Sequence, residues 1–233
     1  MDFKELLQKL NINLSDEMLD KFNTYYNFLV DYNEKVNLTA ITEYEEVFIK
    51  HFYDSLTLSL AVDFSEPCKC CDVGAGAGFP TIPNAICFSN VDVTIIDALN
   101  KRIVFLNELI NKLDLKNAHA YHKRAEEYAL EKRESFDVVT ARAVARFNIL
   151  AELCMPLVKV GGVFVAMKGQ DNEEEITEGL KAIKILGGEL VNTIKCELPN
   201  NLGSRTIYVI KKVSKTPNKY PRAFAQIKKA PIC

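Results

Sequence analysis

The segment that most constrains the fold is residues 72–80, which reads Asp-Val-Gly-Ala-Gly-Ala-Gly-Phe-Pro. It follows a short apolar run at residues 70–73 and opens a helix-like segment near residues 79–88. Glycine adopts positive φ at little steric cost and lets a ligand approach the backbone closely. A helix that begins there offers free amide donors and the positive end of its dipole. The pattern therefore predicts a strand, a turn and a helix, with the turn against a ligand.

The glycine spacing narrows the class of ligand. Gly74, Gly76 and Gly78 form G-x-G-x-G, whereas a dinucleotide fingerprint needs a glycine where Phe79 stands, and a phosphate-binding P-loop needs a terminal Gly-Lys-Ser/Thr. Asp97 ends the second predicted strand, roughly 20 residues later, where a carboxylate can accept hydrogen bonds from a ribose. A cofactor with a nucleoside but no pyrophosphate on the loop, such as S-adenosylmethionine, fits both features. The alternative is a structural turn in an enzyme that uses another ligand.

Short apolar runs alternate with helix-period segments from residue 69 onward. Strands are predicted near residues 70–73, 91–97, 117–121, 136–140 and 160–167, and a hairpin is predicted over 188–198 and 205–213. Alternation of this kind predicts an α/β fold with a mostly parallel sheet. The chain divides into a helical N-terminal extension at 1–62, a ligand-binding core at 63–213 and a basic C-terminal tail at 214–233. Within the extension, Ser15 is a predicted helix N-cap and residues 42–45 fit a capping box.

Two further positions follow predicted strands. Ala125 and Glu126 come after the third strand, where a backbone amide and a carboxylate can bind the edge of an adenine. Arg142 follows the fourth strand. Ligands of open α/β sheets bind at this carboxyl edge. The alternative for Arg142 is a surface arginine paired with a neighbouring acid.

Composition excludes several classes of protein. Of 233 residues, 48% are hydrophobic and 26% charged, and the formal net charge is −2, as in ordinary globular chains. There is no apolar run of the ~20 residues needed to cross a bilayer, so we expect a cytoplasmic protein without a membrane partner. Seven cysteines are an odd count without paired metal-ligand spacing. We expect reduced core thiols and no metal site.

Charge is unevenly distributed along the chain. Residues 211–233 hold seven cations and no Asp or Glu: Lys211, Lys212, Lys215, Lys219, Arg222, Lys228 and Lys229. A basic tail on an acidic body is typical of an arm that binds a polyanion. The alternative is a solvated, disordered lysine-rich end.

The sequence resembles the ribosomal small-subunit methyltransferase G family, also called the glucose-inhibited division protein B family, along nearly its whole length. The resemblance rests on motifs in order: residues 37–41, His51 with residues 54–56, residues 72–83, Asp97 with Lys101 and Arg102, residues 124–126, residues 140–143, Lys168 with Gly169, and residues 220–222. Three positions depart from the family pattern. Ala75 stands where serine is frequent, Thr81 where glycine is frequent, and Tyr32 where tryptophan is usual.

The resemblance implies a class I methyltransferase with a Rossmann-like sheet of seven strands, helices on both faces, and S-adenosylmethionine as cofactor. It implies N7 methylation of a guanosine in the 530 loop of 16S rRNA of the small ribosomal subunit. We expect a monomer that does not bind DNA. Carried over position by position, the cofactor contacts are Gly74, Gly76, Gly78, Phe79, Asp97, Ala125, Glu126 and Arg142. The RNA contacts are Lys101, Arg102, Lys168, Arg205 and Arg222, and Arg142 with Lys168 is the predicted catalytic pair.

The expected chemistry agrees with the residues. Guanine N7 carries a lone pair and no proton, so its methylation needs positioning rather than a general base or a cysteine nucleophile. We therefore expect His51 to be a hydrogen-bonded structural residue rather than a catalyst, and Asp54 and Asn37 to close loops. Two alternatives remain open: a methyltransferase acting on a protein or small molecule, and an RNA-binding module without catalysis.

Overall fold

A computed structural model of the chain describes residues 2–142, 145–169 and 173–233. Seven strands form one sheet: β1 (Cys68–Val73), β2 (Val91–Asp97), β3 (Ala118–His122), β4 (Phe136–Arg142), β5 (Val158–Lys168), β6 (Gly188–Glu197) and β7 (Ser204–Lys212). Their spatial order is β3-β2-β1-β4-β5-β7-β6. Strands β1 to β5 pair in parallel, and β7 lies antiparallel between β5 and β6. The predicted mostly parallel sheet and the late hairpin are confirmed.

Ten α-helices surround the sheet in the described residues. They are α1 (Phe3–Gln8), α2 (Asp16–Asn33), α3 (Tyr44–Val47), α4 (Asp54–Leu56), α5 (Thr81–Cys87), α6 (Asn100–Lys112), α7 (Ala125–Glu131), α8 (Phe147–Cys154), α9 (Glu173–Ile185) and α10 (Phe224–Lys229). Strand side chains alternate between two faces, so neighbours such as Cys70 and Cys71 enter different hydrophobic clusters. Helices α5 and α6 cover one face, and α8 and α9 cover the other, as predicted.

The N-terminal helices share one hydrophobic cluster with the sheet. Phe22, Tyr25 and Phe52 are fully buried in it beside residues of β1 and β2. The Tyr25 hydroxyl donates to the Ala77 carbonyl over 2.5 Å, and the Tyr25 ring stacks on Phe79 with centroids 5.5 Å apart. The extension therefore packs directly under the glycine turn.

One predicted cap is confirmed and one is wrong. The Ser15 Oγ accepts from the Met18 amide over 3.1 Å at the start of α2. The capping box at residues 42–45 does not form, because α3 is capped by Glu43 without a side-chain hydrogen bond. The carbonyl of Thr42 instead accepts from the Tyr26 hydroxyl over 3.2 Å, which ties this residue to α2.

A π-helix occupies Phe48–Tyr53, between α3 and α4. The sequence predicts an ordinary helix here, since the periodicity of a single π turn is not distinguishable from α. Such segments occur often at functional sites. This one carries His51 and ends immediately before Asp54.

No helix among residues 2–142, 145–169 and 173–233 is long and apolar enough to span a membrane.

Candidate functional site

A cavity of about 440 Å³ opens at the carboxyl ends of β1, β2, β3 and β4. Strand order reverses between β1 and β4, and open α/β sheets bind ligands at such a switch point. Its volume lies in the range of small-molecule sites. The lining residues are Leu38, Thr39, His51, Val73, Gly74, Ala75, Gly76, Ala77, Phe79, Ile96, Asp97, Ala98, Leu99, Arg102, Lys123, Arg124, Ala125, Glu126, Arg142, Leu153 and Phe224. We call it the central cavity.

The three glycines of the turn have different roles. All three have positive φ, of 76°, 60° and 102° for Gly74, Gly76 and Gly78. At Gly76 an added Cβ meets nothing within 4 Å, so its backbone faces open space in the central cavity. At Gly78 an added Cβ falls 2.8 Å from the Tyr25 hydroxyl, and Gly78 does not line the cavity. A side chain at Gly78 therefore has no room beside α2, and its predicted contact with the cofactor stays a prediction.

Asp72, the first residue of the motif, lies buried beneath the turn. Burial raises the pKa of its carboxyl to about 7. Its Oδ2 accepts from the Thr81 hydroxyl over 2.6 Å, while its Oδ1 is buried without a hydrogen-bond partner. The threonine that departs from the family pattern thus supplies a donor to this carboxyl.

Asp97 joins the glycine turn to the start of α6. Its side chain is only 3% exposed, and it accepts from the Leu99 amide over 2.8 Å and from the Gly76 amide over 3.3 Å. The Arg102 guanidinium donates to the same carboxylate over 3.1 Å. A carboxylate has about four acceptor positions, so it keeps capacity for a ligand hydroxyl. Arg102 also lines the central cavity, and its contact with RNA stays a prediction.

Ala125 and Glu126 line the cavity from the first turn of α7, as their place after β3 predicts. Ala125 is buried, and Glu126 is half-buried. This end of the cavity is completed by Leu153 of α8 and Phe224 of α10. Leu153 lies in no motif, and Phe224 follows the motif at residues 220–222 by two positions, but the sequence predicts neither at this cavity.

Arg142 ends β4 and is held from several sides. Its Nη1 donates to Asp54 Oδ2 over 2.8 Å and to the Lys50 carbonyl over 3.2 Å. The guanidinium lies over the Phe79 ring at 4.8 Å from the centroid, a cation–π contact. Arg142 is paired with an acid, as the alternative expects, but its side chain is only 14% exposed, so it is not a surface arginine. It lines the central cavity, and its contact with the cofactor stays a prediction. Ala143, part of the same motif, lies outside the described residues.

His51 stacks on Phe79 with centroids 4.5 Å apart and lines the central cavity. Its Nε2 lies 2.8 Å from Thr39 Oγ1, and its Nδ1 lies 3.4 Å from Arg142 Nη2. Burial, helped by Arg142, lowers the pKa of His51 to about 3. A neutral ring that accepts from Arg142 at Nδ1 donates from Nε2 to Thr39. His51 is thus hydrogen-bonded as predicted, but it also forms part of the cavity wall.

Asp54, which was predicted only to close a loop, forms ion pairs with two arginines. It is 2% exposed, and its Oδ1 accepts from Arg205 Nε over 2.9 Å while Oδ2 accepts from Arg142. One carboxylate between two guanidinium groups leaves this cluster with one net positive charge. Arg205 was predicted near the cavity mouth. It is held next to Arg142 because both donate to Asp54, and it is not among the residues that line the cavity.

The remaining predicted cations lie outside the cavity lining. Lys168 is paired with Glu175 and sits 5.8 Å from the centroid of the Phe147 ring. Lys101 is exposed on the first turn of α6. Arg222 pairs with the fully buried Glu152 over 2.6 Å, which anchors it to α8. Contact of Lys101, Lys168 and Arg222 with RNA stays a prediction.

The described part of the chain offers no activated thiol at this site. Burial raises the pKa of Cys70, Cys71 and Cys154 well above the usual value. A thiolate, not a thiol, is the nucleophile. Residues 2–142, 145–169 and 173–233 also contain no group of three His, Cys, Asp or Glu side chains that could hold a metal ion.

The structure is similar to solved structures of methyltransferases. A SAM-dependent methyltransferase from Aquifex aeolicus covers 72% of this chain and 93% of its own, with a TM-score of 0.53 and 17% identity. A predicted O-methyltransferase from Agrobacterium tumefaciens covers 69% of this chain and 81% of its own, with a TM-score of 0.56 and 17% identity. The fold is therefore that of a class I methyltransferase.

Comparison with related sequences identifies the family within this fold. The family model for rRNA small subunit methyltransferase G matches residues 18–206. The ribosomal RNA small subunit methyltransferase G of Geobacillus thermodenitrificans is 53% identical over 99% of this chain and 98% of its own. That of Bacillus subtilis is 52% identical over 99% of this chain and 98% of its own. The chain belongs to the rRNA small subunit methyltransferase G family.

Proposed function

We propose that this protein transfers a methyl group from S-adenosylmethionine to N7 of a guanosine in the 530 loop of 16S rRNA. The observation that carries the proposal is the central cavity, which joins the glycine turn to the Arg142 guanidinium and holds neither an activated thiol nor a basic histidine among the described residues. Guanine N7 needs neither group. Family membership and the methyltransferase fold support the same reaction.

The residues at the cavity fit the cofactor. The open backbone at Gly76 gives room for a close approach, and the buried carboxylate of Asp97 gives an acceptor for ribose hydroxyls. Ala125 and Glu126 offer an amide and a carboxylate to an adenine edge. When bound, S-adenosylmethionine supplies an electrophilic methyl group on a sulfonium.

The chain's own contribution is to hold the two reactants in line. Positioning alone can supply much of a rate enhancement when the reacting atoms are well oriented. His51 cannot act as a base of useful strength, because a pKa of about 3 leaves it neutral and weakly basic near pH 7. The net positive charge shared by Arg142, Arg205 and Asp54 is suited to RNA phosphates near the methyl acceptor.

The RNA partner is proposed to be 16S rRNA in the small subunit, approached by Lys101, Lys168, Arg142 and Arg205. Phosphate contacts of this kind position a protein on RNA without reading sequence. We propose a cytoplasmic monomer for which no membrane or DNA contact is needed.

The test is transfer of labelled methyl from S-adenosylmethionine to small ribosomal subunits from a strain that lacks this protein, followed by nucleoside analysis. Label in 7-methylguanosine is expected. Label in another nucleoside would overturn the acceptor atom while retaining the cofactor. No label with either subunits or naked 16S rRNA, despite cofactor binding, would favour a protein or small-molecule acceptor.

A further inference from the structure

The C-terminal tail is fixed to the body of the protein at its first residues. The Arg133 guanidinium donates to the Thr216 carbonyl over 2.6 Å and to the Tyr220 carbonyl over 2.8 Å. The ammonium of Lys212, itself fully buried, donates to Thr216 Oγ1 over 2.6 Å. Two cations of the basic segment at residues 211–233 therefore form internal contacts, namely Lys212 and Arg222.

A buried ion pair then sets the position of the last helix. Glu152 is fully buried, and it accepts from the Arg222 amide over 2.9 Å, from Nε over 2.8 Å and from Nη2 over 2.6 Å. Charge-assisted bonds with this fork geometry are strong and directional. Beyond them, Ile227 and Ile232 are buried in the same hydrophobic cluster as α8. The segment is therefore packed, which excludes the disordered alternative.

This anchoring places one aromatic ring at the central cavity. Phe224 follows Arg222 by two residues and precedes the buried Ile227 by three, so it lies one turn from a core contact on α10. Its side chain lines the cavity together with Ala125, Glu126 and Leu153. It is nevertheless 37% exposed, so a flat apolar surface faces open space rather than protein.

The two ends of the cavity differ in chemistry. Arg142, His51 and Phe79 contact one another and belong to the end beneath the N-terminal helices. Phe224 lies on the side of α7 and α8, where the lining includes Ala125, Glu126 and Leu153, with Lys123 and Arg124 just before them in the chain. The Ala125 amide and the Glu126 carboxylate can form hydrogen bonds with the edge of a heterocyclic base. The Phe224 ring beside them can stack on the face of the same base.

We propose that Phe224 packs against the adenine of S-adenosylmethionine, so that the C-terminal helix is a wall of the cofactor site. This inference rests on the proposed function for the identity of the ligand. In this proposal the ion pair between Arg222 and Glu152 positions Phe224 at the cofactor site.

The experiment measures binding of S-adenosylmethionine and of adenosine alone by titration calorimetry. Phe224→Ala is compared with wild type, with Phe224→Tyr, which keeps a ring, and with Lys228→Ala, a matched change at an exposed position of the same helix. We expect Phe224→Ala to raise both dissociation constants about tenfold, Phe224→Tyr to restore them, and Lys228→Ala to leave them unchanged. Saturating cofactor restores the rate of methyl transfer to Phe224→Ala.

Wild-type affinity of Phe224→Ala for both ligands would overturn the inference. If its rate with small subunits then fell at saturating cofactor, the ring would contact the target guanine instead. Should Phe224→Ala fail to fold by circular dichroism, Phe224→Leu retains the apolar volume and is expected to bind with intermediate affinity. Failure of the wild type to bind S-adenosylmethionine would refute the proposed function, whereas failure of the variants to differ refutes only this inference.

Discussion

Arg142 Nη1 and Asp54 Oδ2 lie 2.8 Å apart in an ion pair that joins the end of β4 to the N-terminal helices. The two residues are 88 positions apart in the chain. The other oxygen of Asp54 accepts from Arg205 of β7 over 2.9 Å. A single buried carboxylate from the helical extension therefore orients two guanidinium groups beside the central cavity.

Replacing Asp54 by Asn is expected to affect both stability and activity, because it leaves two guanidinium groups without their carboxylate. Breaking a buried pair of this kind costs about 3 kcal/mol, which urea unfolding measures. We also expect methyl transfer to fall at least about tenfold, since Arg142 loses its orientation. Asp31→Asn, at an exposed position of α2, is the control. Wild-type stability and activity in Asp54→Asn would contradict the proposed positioning.

Asp97→Asn is expected to weaken S-adenosylmethionine binding about tenfold or more, because a charged acceptor for ribose hydroxyls is lost. Titration calorimetry gives the dissociation constant directly. The matched control is Asp92→Asn, an exposed position on the same strand. Equal cofactor affinity in Asp97→Asn and wild type would rule out the ribose contact.

The two glycines at 76 and 78 are expected to fail in different ways. In Gly78→Ala the new Cβ meets the Tyr25 hydroxyl and Ile82 Cγ1 at 2.8 Å, and overpacking of this kind typically costs about 1–3 kcal/mol. Gly76→Ala has open space for its Cβ, so its stability cost is limited to about 1 kcal/mol from the positive φ, and its main effect is a loss of cofactor affinity. Urea unfolding and calorimetry on both variants test this. A Gly78→Ala protein as stable as wild type would disprove the packing role.

His51 is expected to make the fold sensitive to acid. Its pKa falls from 6.5 to about 3 on folding, so below pH 6.5 the unfolded state binds a proton that the folded state does not. Stability is therefore lost as pH falls from 6.5 toward 3, by up to about 1.4 kcal/mol per pH unit.

The comparison is between His51→Gln and wild type, with the exposed His119→Gln as control. The free energy of unfolding of His51→Gln is expected to decline less between pH 7 and pH 5 than that of wild type, while His119→Gln declines in parallel with wild type. Parallel decline of all three proteins would show that His51 titrates normally in the fold.

Several elements of this protein are predictable because their causes are local. The Ser15 cap needs only an amide three residues away, and the alternation of apolar runs with helical periods predicts the sheet and its hairpin. Gly74 and Gly76 are predicted at the ligand because positive φ in a strand-to-helix turn is encoded in the turn itself. Asp97 follows from its place at the end of a strand.

Other features depend on partners far along the chain. Gly78 has the same local pattern as its neighbours, yet Tyr25 of α2, far earlier in the chain, leaves no room for a side chain there. In the sequence Arg222 is one of seven cations in the basic tail. Only the structure shows that it pairs with the buried Glu152 and holds the tail against α8.

The amino-acid sequence alone therefore determined the sheet, the glycine turn, the acid opposite it and the kind of cofactor they suit, because hydrophobic period and backbone conformation act over a few residues. Only the tertiary structure decided which charges are free, which are paired and which side chains close the cavity. Burial and charge pairing depend on what lies across space, and for Asp54, Arg205 and Phe224 those neighbours come from distant parts of the chain.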